Sequence, residues 1–234
     1  MLKYLVVQLD DTSIPYCHYE NSCDTRRLIG YSDLKAGILF AMKENLSVQF
    51  VYPEYELPEE YKSLINSIDH TDITPAKCSD IKLLRKSEVV VFNAIDDMMA
   101  FEVNPETICV LRLTKTSFYS EYKSIMSMLD RVKGLNVVFT DIIDFSHIDE
   151  IEYAKVLSEM VSKIAEIYSR GRFSQLNLLT DRLILDKMNN CNAGWESIAL
   201  APDGKFYVCP AFYSDFSPTG YTILEAKFSI GDPI

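Results

Sequence analysis

The run Ile108-Cys109-Val110-Leu111-Arg112-Leu113 decides the fold class of this chain. It is almost continuously apolar, as strands are in a parallel sheet that is covered on both faces. The run Val89-Val90-Val91-Phe92 has the same character. Such runs alternate along the chain with segments of helical spacing, and this alternation requires right-handed crossovers and therefore a parallel sheet.

Outward from these runs, the pattern predicts about six βα units before residue 180. The predicted strands span residues 4–9, 48–52, 89–92, 108–113, 137–139 and 176–178. The predicted helices span residues 33–45, 59–68, 117–132 and 149–168. Gly134 and Gly171 are expected to end the last two helices. We predict an α/β fold with a partial (β/α)6 barrel-like parallel sheet; an open, doubly wound sheet fits the same alternation.

The pattern changes near the C-terminus, where the spacing of the apolar residues shortens. Ser197 to Ala201 and Lys205 to Cys209 are brief strand candidates on either side of Pro202-Asp203-Gly204. Proline presets the first position of a turn and glycine supplies a positive φ, so the two strands should form a hairpin. We therefore predict two domains, a main body at residues 1–185 and a short β-hairpin module at residues 186–234.

Composition and charge restrict the partners. The chain has 234 residues, 48% of them hydrophobic, which is enough for a substantial core. A net charge of −11 repels phosphate backbones, and the basic residues form no stripe, so we expect no nucleic-acid partner. The acidic surface could attract a basic peptide, or it could simply keep the protein soluble.

The N-terminus points to a cytoplasmic location. Residues 1–9 are apolar but contain only Lys3 as a charge and have no small-residue cleavage site, which argues against a signal peptide. No apolar run approaches the roughly 20 residues that span a bilayer, so no membrane partner is expected. In a reducing compartment the six cysteines are core residues, metal ligands or reactive thiols.

Two cysteines frame the predicted hairpin. Residues 191–210 read Cys-Asn-Ala-Gly-Trp-Glu-Ser-Ile-Ala-Leu-Ala-Pro-Asp-Gly-Lys-Phe-Tyr-Val-Cys-Pro, with twelve residues between Cys191 and Gly204 and four between Gly204 and Cys209. The segment resembles the first half of a SPASM domain, and the resemblance implies that Cys191 and Cys209 bind a [4Fe–4S] cluster. Without a cluster, both would be buried small residues beside a turn.

The number of thiolates limits this predicted site. A cubane cluster takes about four cysteine ligands, and no cysteine follows Cys209 in this chain. In the family the other ligands lie downstream. We therefore expect a truncated SPASM-like module, whose cluster would form in a longer chain and whose site is empty in this one.

A main body of this kind would resemble the partial barrel of radical SAM enzymes. In that family, three cysteines spaced C-x3-C-x2-C follow the first strand, whereas residues 10–31 contain only Cys17 and Cys23. The family's Gly-Gly-Glu-Pro motif, which holds S-adenosylmethionine, corresponds here to Tyr52-Pro53-Glu54. The resemblance makes Cys17 and Glu54 candidate cofactor-binding residues. Loss of both glycines and of the triad argues against the usual binding of S-adenosylmethionine.

The whole chain resembles the CXXX repeat peptide maturase group. The features shared with that group are residues 4–11, Cys17-His18-Tyr19, residues 34–37 and the segment from Cys191 to Cys209. The resemblance implies maturation of a ribosomally made, cysteine-repeat peptide and a precursor peptide as partner. The alternative is a cofactor-free peptide-binding or scaffold protein that recruits a partner modifying enzyme, so whether the chain is itself an enzyme stays open.

The remaining side chains are assigned by their surroundings. Cys109 lies in an apolar run and is expected in the core. No glycine-rich fingerprint follows the first strand, which argues against a Rossmann-like nucleotide site. The C-terminal aromatic residues could line a peptide groove or pack the hairpin module on the main body. They are Trp195, Phe206, Tyr207, Phe212, Tyr213 and Phe216.

Overall fold

The computed structural model describes residues 2–21, 23, 25–102, 104–180, 193–214 and 229–231. Strands and helices alternate from the N-terminus, giving six βα units followed by a seventh parallel strand. A short antiparallel strand pair follows near the C-terminus. The predicted α/β fold class is therefore confirmed.

The strands of the described chain have the following bounds. They are β1 Tyr4–Gln8, β2 Ser47–Val51, β3 His70–Pro75, β4 Val89–Phe92, β5 Ile108–Leu113, β6 Gly134–Phe139, β7 Gln175–Leu176, β8 Ser197–Leu200, β9 Phe206–Tyr207 and β10 Ser229–Gly231. The helices are α1 Tyr31–Glu44, α2 Glu59–Ile65, α3 Ile81–Lys86, α4 Ile95–Ala100, α5 Lys115–Met128, α6 His147–Ser169 and α7 Ala211–Ser214. A 3₁₀ turn at Ile142–Asp144 precedes α6.

The first of two compact units contains Met1–Pro15, Tyr19–Ser87 and Asn189–Ile234. Its strands lie in the order β10-β9-β8-β1-β2-β3, and β1 runs parallel to both β2 and β8. The hairpin strand β8 thus pairs directly with the first strand of the chain. The domain boundary predicted between residues 185 and 186 lies outside the described residues and stays a prediction.

The second compact unit contains Tyr16–His18 and Glu88–Met188, and its parallel strands lie in the order β4-β5-β6-β7. The predicted core position of Cys109 is confirmed, because the residue is fully buried in β5. Helices α5 and α6 pack through aromatic rings. The ring of Phe118 in α5 lies 6.0 Å from that of Tyr153 in α6, and it meets the ring of Phe139 in β6 edge-on at 5.1 Å.

Two glycines shape the first unit. A Cβ atom on Gly37 would lie 2.3 Å from Cδ2 of Leu200, so the absence of a side chain lets α1 approach β8 closely. Gly204 has a φ of +82°, which glycine adopts without strain, and the amide of Ala201 donates to the carbonyl of Lys205 at 3.0 Å. The predicted hairpin at residues 202–204 is confirmed, with strands shorter than expected.

The structure corrects two local predictions. Gly134 was expected to end a helix, but α5 ends at Met128 and Gly134 is the first residue of β6. Strand β3 is absent from the predicted set because its sequence, His-Thr-Asp-Ile-Thr-Pro, has neither a continuous apolar run nor a clean alternation. It lies in the sheet beside β2 in the parallel direction.

Strand β3 carries a buried carboxylate that its neighbours satisfy. Asp72 accepts hydrogen bonds from the Tyr52 hydroxyl at 2.8 Å and from Nε2 of His70 at 3.2 Å, and Lys86 lies 3.6 Å away. Burial acts to raise the pKa of Asp72, but the bonds from His70 and Tyr52 outweigh it and hold that pKa below its usual value. A polar strand is tolerated in the core because its charge is paired.

The surroundings of the His70 ring favour its charged form. Its Nε2 bonds to Asp72 and its Nδ1 lies 2.8 Å from the carbonyl of Ile68, so both nitrogens have acceptors. The hydrogen bond to Asp72 is the main cause that raises the pKa of His70 above its ordinary value. Stability from this pair is complete below the ordinary pKa of about 6.5 and is lost as pH rises through the folded-state pKa.

We therefore predict that His70→Gln flattens the pH dependence of stability. The urea midpoint of the unmodified chain should fall between about pH 6 and pH 9, and the variant should lose most of that slope. His147→Gln is the matched control, because that ring is 84% exposed and bonds only to exposed Glu150 among the contacts described for it. Equal slopes in the unmodified chain and the His70 variant would contradict the assignment.

Candidate functional site

The carboxyl end of β1 is the most polar part of the first unit's core. In parallel α/β sheets, ligands bind where the carboxyl ends of the strands meet the following loops. The chain leaves β1 through Gln8, Asp10 and Asp11, all of them buried. Two consecutive carboxylates that have lost most of their contact with water need hydrogen-bond donors from elsewhere in the unit.

A tyrosine from the loop after β2 satisfies the first carboxylate. Asp10 is fully buried, and its Oδ2 accepts a hydrogen bond from the Tyr55 hydroxyl at 2.7 Å. Its Oδ1 accepts bonds from the amide and the hydroxyl of Thr12 at 2.8 and 2.5 Å. Burial, followed by the bond to Asp10, raises the pKa of Tyr55, so this phenol stays protonated as a donor.

A tyrosine from α7 satisfies the second carboxylate. The Tyr213 hydroxyl donates to Oδ1 of Asp11 at 2.5 Å, across 202 residues of sequence. Burial raises the pKa of the Asp11 carboxyl, while the hydrogen bond from Tyr213 acts against it. Ser214, the next residue of α7, exchanges hydrogen bonds with the side chain of Gln8 at 2.8 and 3.1 Å. Two side chains of α7, Tyr213 and Ser214, therefore form hydrogen bonds with the end of β1.

The loop that follows β1 is ordered by its own polar groups. The side-chain amide of Asn21 donates to the carbonyls of Asp11 and Ser13 at 2.6 and 2.9 Å. The guanidinium of Arg26 lies over the Tyr55 ring, 4.6 Å from its centroid. This end of the sheet presents carboxylates, phenols and a cation within one hydrogen-bonded network. Such groups can orient a polar or peptidic ligand.

The structure places the candidate cofactor residues in different surroundings. Glu54 is exposed just beyond β2, and its carbonyl accepts a hydrogen bond from the amide of Ser79 at 2.7 Å. Tyr52, which the sequence resemblance matched to a glycine, has a buried ring whose hydroxyl donates to Asp72. Cys17 belongs to the second unit, where its carbonyl accepts from Nε of Arg112 at 3.3 Å. The roles predicted for Glu54 and Cys17 stay predictions.

The predicted cluster ligands are only half described. Cys209 is half-buried and lies between β9 and α7, where its carbonyl accepts from the amide of Phe212 at 3.2 Å. Cys191 lies outside the described residues. Within the described ranges, no group of three or more histidine, cysteine or acidic side chains is arranged to hold a metal ion. The described residues therefore do not by themselves make a cluster site, and we derive no chemical step from one.

The aromatic residues near the C-terminus differ in burial, and the groove role stays a prediction. Phe206, Tyr207 and Tyr213 are buried, and the Phe206 ring packs on Phe40 of α1 with centroids 5.0 Å apart. They pack the hairpin within the first unit. Trp195 is 71% exposed and remains available to a ligand. Phe216 lies outside the described residues.

A second polar and aromatic site lies at the carboxyl ends of the strands in the second unit. Arg112 is buried, and its Nη1 lies 3.2 Å from the side-chain oxygen of Asn93. The carbonyl of Phe139, the last residue of β6, accepts a hydrogen bond from Nδ1 of His18 at 3.1 Å. His18 also lines a cavity of about 400 Å³ beside β6 and the start of α6.

A larger cavity of about 570 Å³ lies against α2 and α3 in the first unit. Lys62, one of three lysines in its wall, pairs with Glu56, with Glu59 at 3.1 Å and with Asp80 at 3.2 Å. These three carboxylates already neutralise the lysine. The wall of the cavity also includes Tyr52 and Tyr55 from the loop after β2 and Ser79 from the loop after β3, so the cavity reaches the carboxyl ends of these strands.

Sequence reasoning missed the polar network at the end of β1. Two acidic residues directly after an apolar strand, Asp10 and Asp11, were a usable signal, because that position is where parallel sheets bind ligands. No local pattern points to the donors Tyr55 and Tyr213. They come from other parts of the chain and meet the acids only after folding.

We predict that Tyr213→Phe destabilises the chain by about 1–3 kcal/mol, because it removes the donor to a buried carboxylate. The measurement is the free energy of urea unfolding at pH 7. Tyr122→Phe is the matched control, since that hydroxyl bonds to Glu159 at 2.7 Å on the exposed surface and should change stability little. If the two variants unfold alike, the Asp11–Tyr213 bond does not hold α7 in place.

None of the described helices is long and apolar enough to span a membrane.

Comparison with known proteins identifies the fold but no family. The sequence matches no protein-family model and no curated protein. The structure of Streptococcus suis SuiB bound to its precursor peptide SuiA is similar, with a TM-score of 0.56 and 17% identity over 93% of this chain and 61% of SuiB. A second SuiB structure has a TM-score of 0.52 and 18% identity, over 93% and 62% of the two chains. This chain therefore shares the fold of SuiB and spans less than two thirds of its length.

Proposed function

We propose that this chain binds a ribosomally made precursor peptide and takes part in its maturation. The observation that carries the proposal is the shared fold with SuiB, a protein that has been crystallised with its precursor peptide. The likeness extends over 93% of this chain.

The sequence resemblance supports the same class of function independently of the structural comparison. The resemblance to the CXXX repeat peptide maturase group depends on short motifs, among them residues 4–11 and Cys17-His18-Tyr19. Both lie at or just after β1. The first of these stretches includes Asp10 and Asp11, whose polar network with Tyr55 lies at the end of β1 in the first unit. We assign peptide contact to this end of β1.

Charge favours a particular kind of peptide. The chain has 34 acidic and 23 basic side chains, and its pI is about 4.8. A precursor with lysine or arginine residues would be attracted over several ångströms before it makes specific contacts. We propose a cysteine-repeat peptide as the substrate class, because the sequence resemblance implies such a peptide.

We predict that a fluorescein-labelled synthetic peptide of four Cys-x-x-x repeats binds the full chain in a polarisation assay under reducing conditions. A second peptide with serine at every cysteine is the control and should bind at least about tenfold more weakly, a factor that corresponds to about 1.4 kcal/mol. Equal binding of the two peptides would contradict the cysteine repeat as the substrate class. Absence of binding by both peptides would contradict the proposed function itself.

We also propose an auxiliary iron–sulfur site. Cys191 and Cys209 would supply two thiolates, and a chain extended beyond residue 234 would supply the others. The chemistry that such a cluster supplies when bound is electron transfer. S-adenosylmethionine would need Glu54 and the loop of Cys17, and the buried ring of Tyr52 leaves this region without the family's glycine backbone.

We predict that anaerobic reconstitution with iron and sulfide gives a version of the chain extended beyond residue 234 a broad absorption near about 400 nm from thiolate-to-iron charge transfer. Cys209→Ala and Cys191→Ala should each weaken the band and lower the iron content. Cys109→Ala is the control, because its thiol is buried in β5, where burial raises its pKa to about 12 and disfavours the thiolate. Iron-free protein after reconstitution would rule out the cluster.

A second candidate function is a cofactor-free peptide-binding or scaffold protein that recruits a modifying enzyme. The specific observation in its favour concerns the loop after β1. There the side chains of Asp10, Asp11 and Asn21 form hydrogen bonds with other groups of the protein. A protein with this function would bind the peptide but would hold no iron–sulfur cluster. The polarisation and reconstitution experiments together distinguish the two candidates.

A further inference from the structure

The surface around the N-terminus of α6 exposes an unusual number of large apolar side chains. Ile142 and Ile143 of the 3₁₀ turn are 49% and 91% exposed, and Ile148 and Ile151 of α6 are 78% and 60% exposed. We call these four residues the isoleucine surface. Soluble proteins rarely leave such groups together in water unless a partner covers them.

A cavity adjoins the isoleucine surface. It has a volume of about 400 Å³, and Ile142 belongs to both features. Its apolar walls include Phe139 at the end of β6 and Phe145 between the 3₁₀ turn and α6, whose rings meet edge-on at 5.2 Å. The volume lies in the range of pockets that bury a small ligand or a few side chains. One or two large apolar side chains of a partner would therefore find a site here.

The cavity also has fixed polar groups. The side-chain amide of Asn177 pairs with both the amide and the carbonyl of Val137 at 2.9 Å, which holds one wall against the edge of β6. His18 donates through Nδ1 to the carbonyl of Phe139, because a carbonyl can only accept. In the neutral ring Nε2 is then an acceptor. It can receive a backbone N–H from an extended peptide.

The rim of this surface is acidic. Residues 141–152 contain five carboxylates, from Asp141, Asp144, Asp149, Glu150 and Glu152, and no lysine or arginine. Outside the segment, Lys115 pairs with Asp149 at 2.9 Å; Lys155 lies 3.7 Å from Glu152. Glu150 itself lines the cavity. A partner with positive charges beside its apolar side chains would complement this rim.

The same charges argue against other occupants. An anionic lipid surface or a nucleic acid would be repelled by the carboxylates of residues 141–152. A second copy of the chain, docked symmetrically, would place five carboxylates against the same five. A chain with a net charge of −11 gains nothing from that contact. The chemistry selects a basic peptide.

We infer that the isoleucine surface and its cavity dock a segment of the precursor peptide in which a large apolar side chain is flanked by lysine or arginine. This inference rests on the proposed function, because the occupant is part of the same precursor. The inference assigns two different peptide contacts to the two units. The apolar and basic segment docks on the second unit by shape and charge. The polar network after β1, to which we assigned peptide contact above, belongs to the first unit.

The test is a polarisation assay with three labelled twelve-residue probes. The first has two leucines flanked by lysines, the second replaces the lysines by glutamates, and the third replaces the leucines by serines. We expect the first to bind the full chain at least about tenfold more tightly than either of the others. Its affinity should fall as sodium chloride rises from about 50 to 500 mM, because salt screens exposed charges.

The protein variant for this test is the double substitution Ile143→Ser and Ile148→Ser. Both side chains are exposed, so the chain should fold normally, and its circular dichroism checks this. We expect about tenfold weaker binding of the first probe. Val161→Ser is the matched control, since Val161 is also exposed on α6, at 51%, and lies more than three helical turns beyond Ile148. It should bind the probe as the unmodified chain does.

Several outcomes would overturn the inference. They are equal binding of the lysine and glutamate probes, unchanged binding by the double variant, or no binding of any probe. A dimer in size-exclusion chromatography that the double variant abolishes would assign the surface to a second copy. The cysteine-repeat peptide separates this result from the proposed function. If the double variant binds the first probe like the unmodified chain while the cysteine-repeat peptide also binds, the docking surface is wrong and the function stands.

Discussion

The first unit depends on the requirement that a buried carboxylate must find donors. Asp11 lies at the end of β1, with only 7% of its surface exposed, and Tyr213 supplies its hydroxyl from 202 residues away. The neighbouring pair of Gln8 and Ser214 repeats the connection. Loss of these bonds would leave unpaired polar groups in a low-dielectric interior, which costs far more than a solvated hydrogen bond contributes. The C-terminal helix is therefore bound to the first strand by polar contacts as well as by packing.

The same requirement explains why a polar strand lies in the core. Asp72 would be expensive inside the sheet without partners, but Tyr52, His70 and Lys86 surround it. Tyr52 is itself buried, and its phenol donates to Asp72. Its ring therefore has a structural contact within the first unit. Glu54, two residues later, stays exposed beside it.

The second unit differs because its notable feature is apolar surface in contact with water. Helices α5 and α6 bury an aromatic core around Phe118 and Phe139, while the turn before α6 projects isoleucines outward. Burial of large apolar side chains is the main source of favourable free energy in folding. Side chains left outside it, such as Ile143, can supply the same energy to binding. The exposed isoleucines are the surface to which we assign the proposed peptide partner.

Periodicity alone determined the alternation of strands and helices, the parallel sheet and the hairpin turn at residues 202–204. These features depend on neighbours in the sequence, because a turn needs glycine at one position and a buried strand needs an apolar run. Only the tertiary structure decided that β3 is a strand, that Tyr55 and Tyr213 meet the acids after β1, and that the isoleucines before α6 face water. Each of these depends on which segments become neighbours after folding, and the periodicity of a single segment contains no information on partners that lie many residues away.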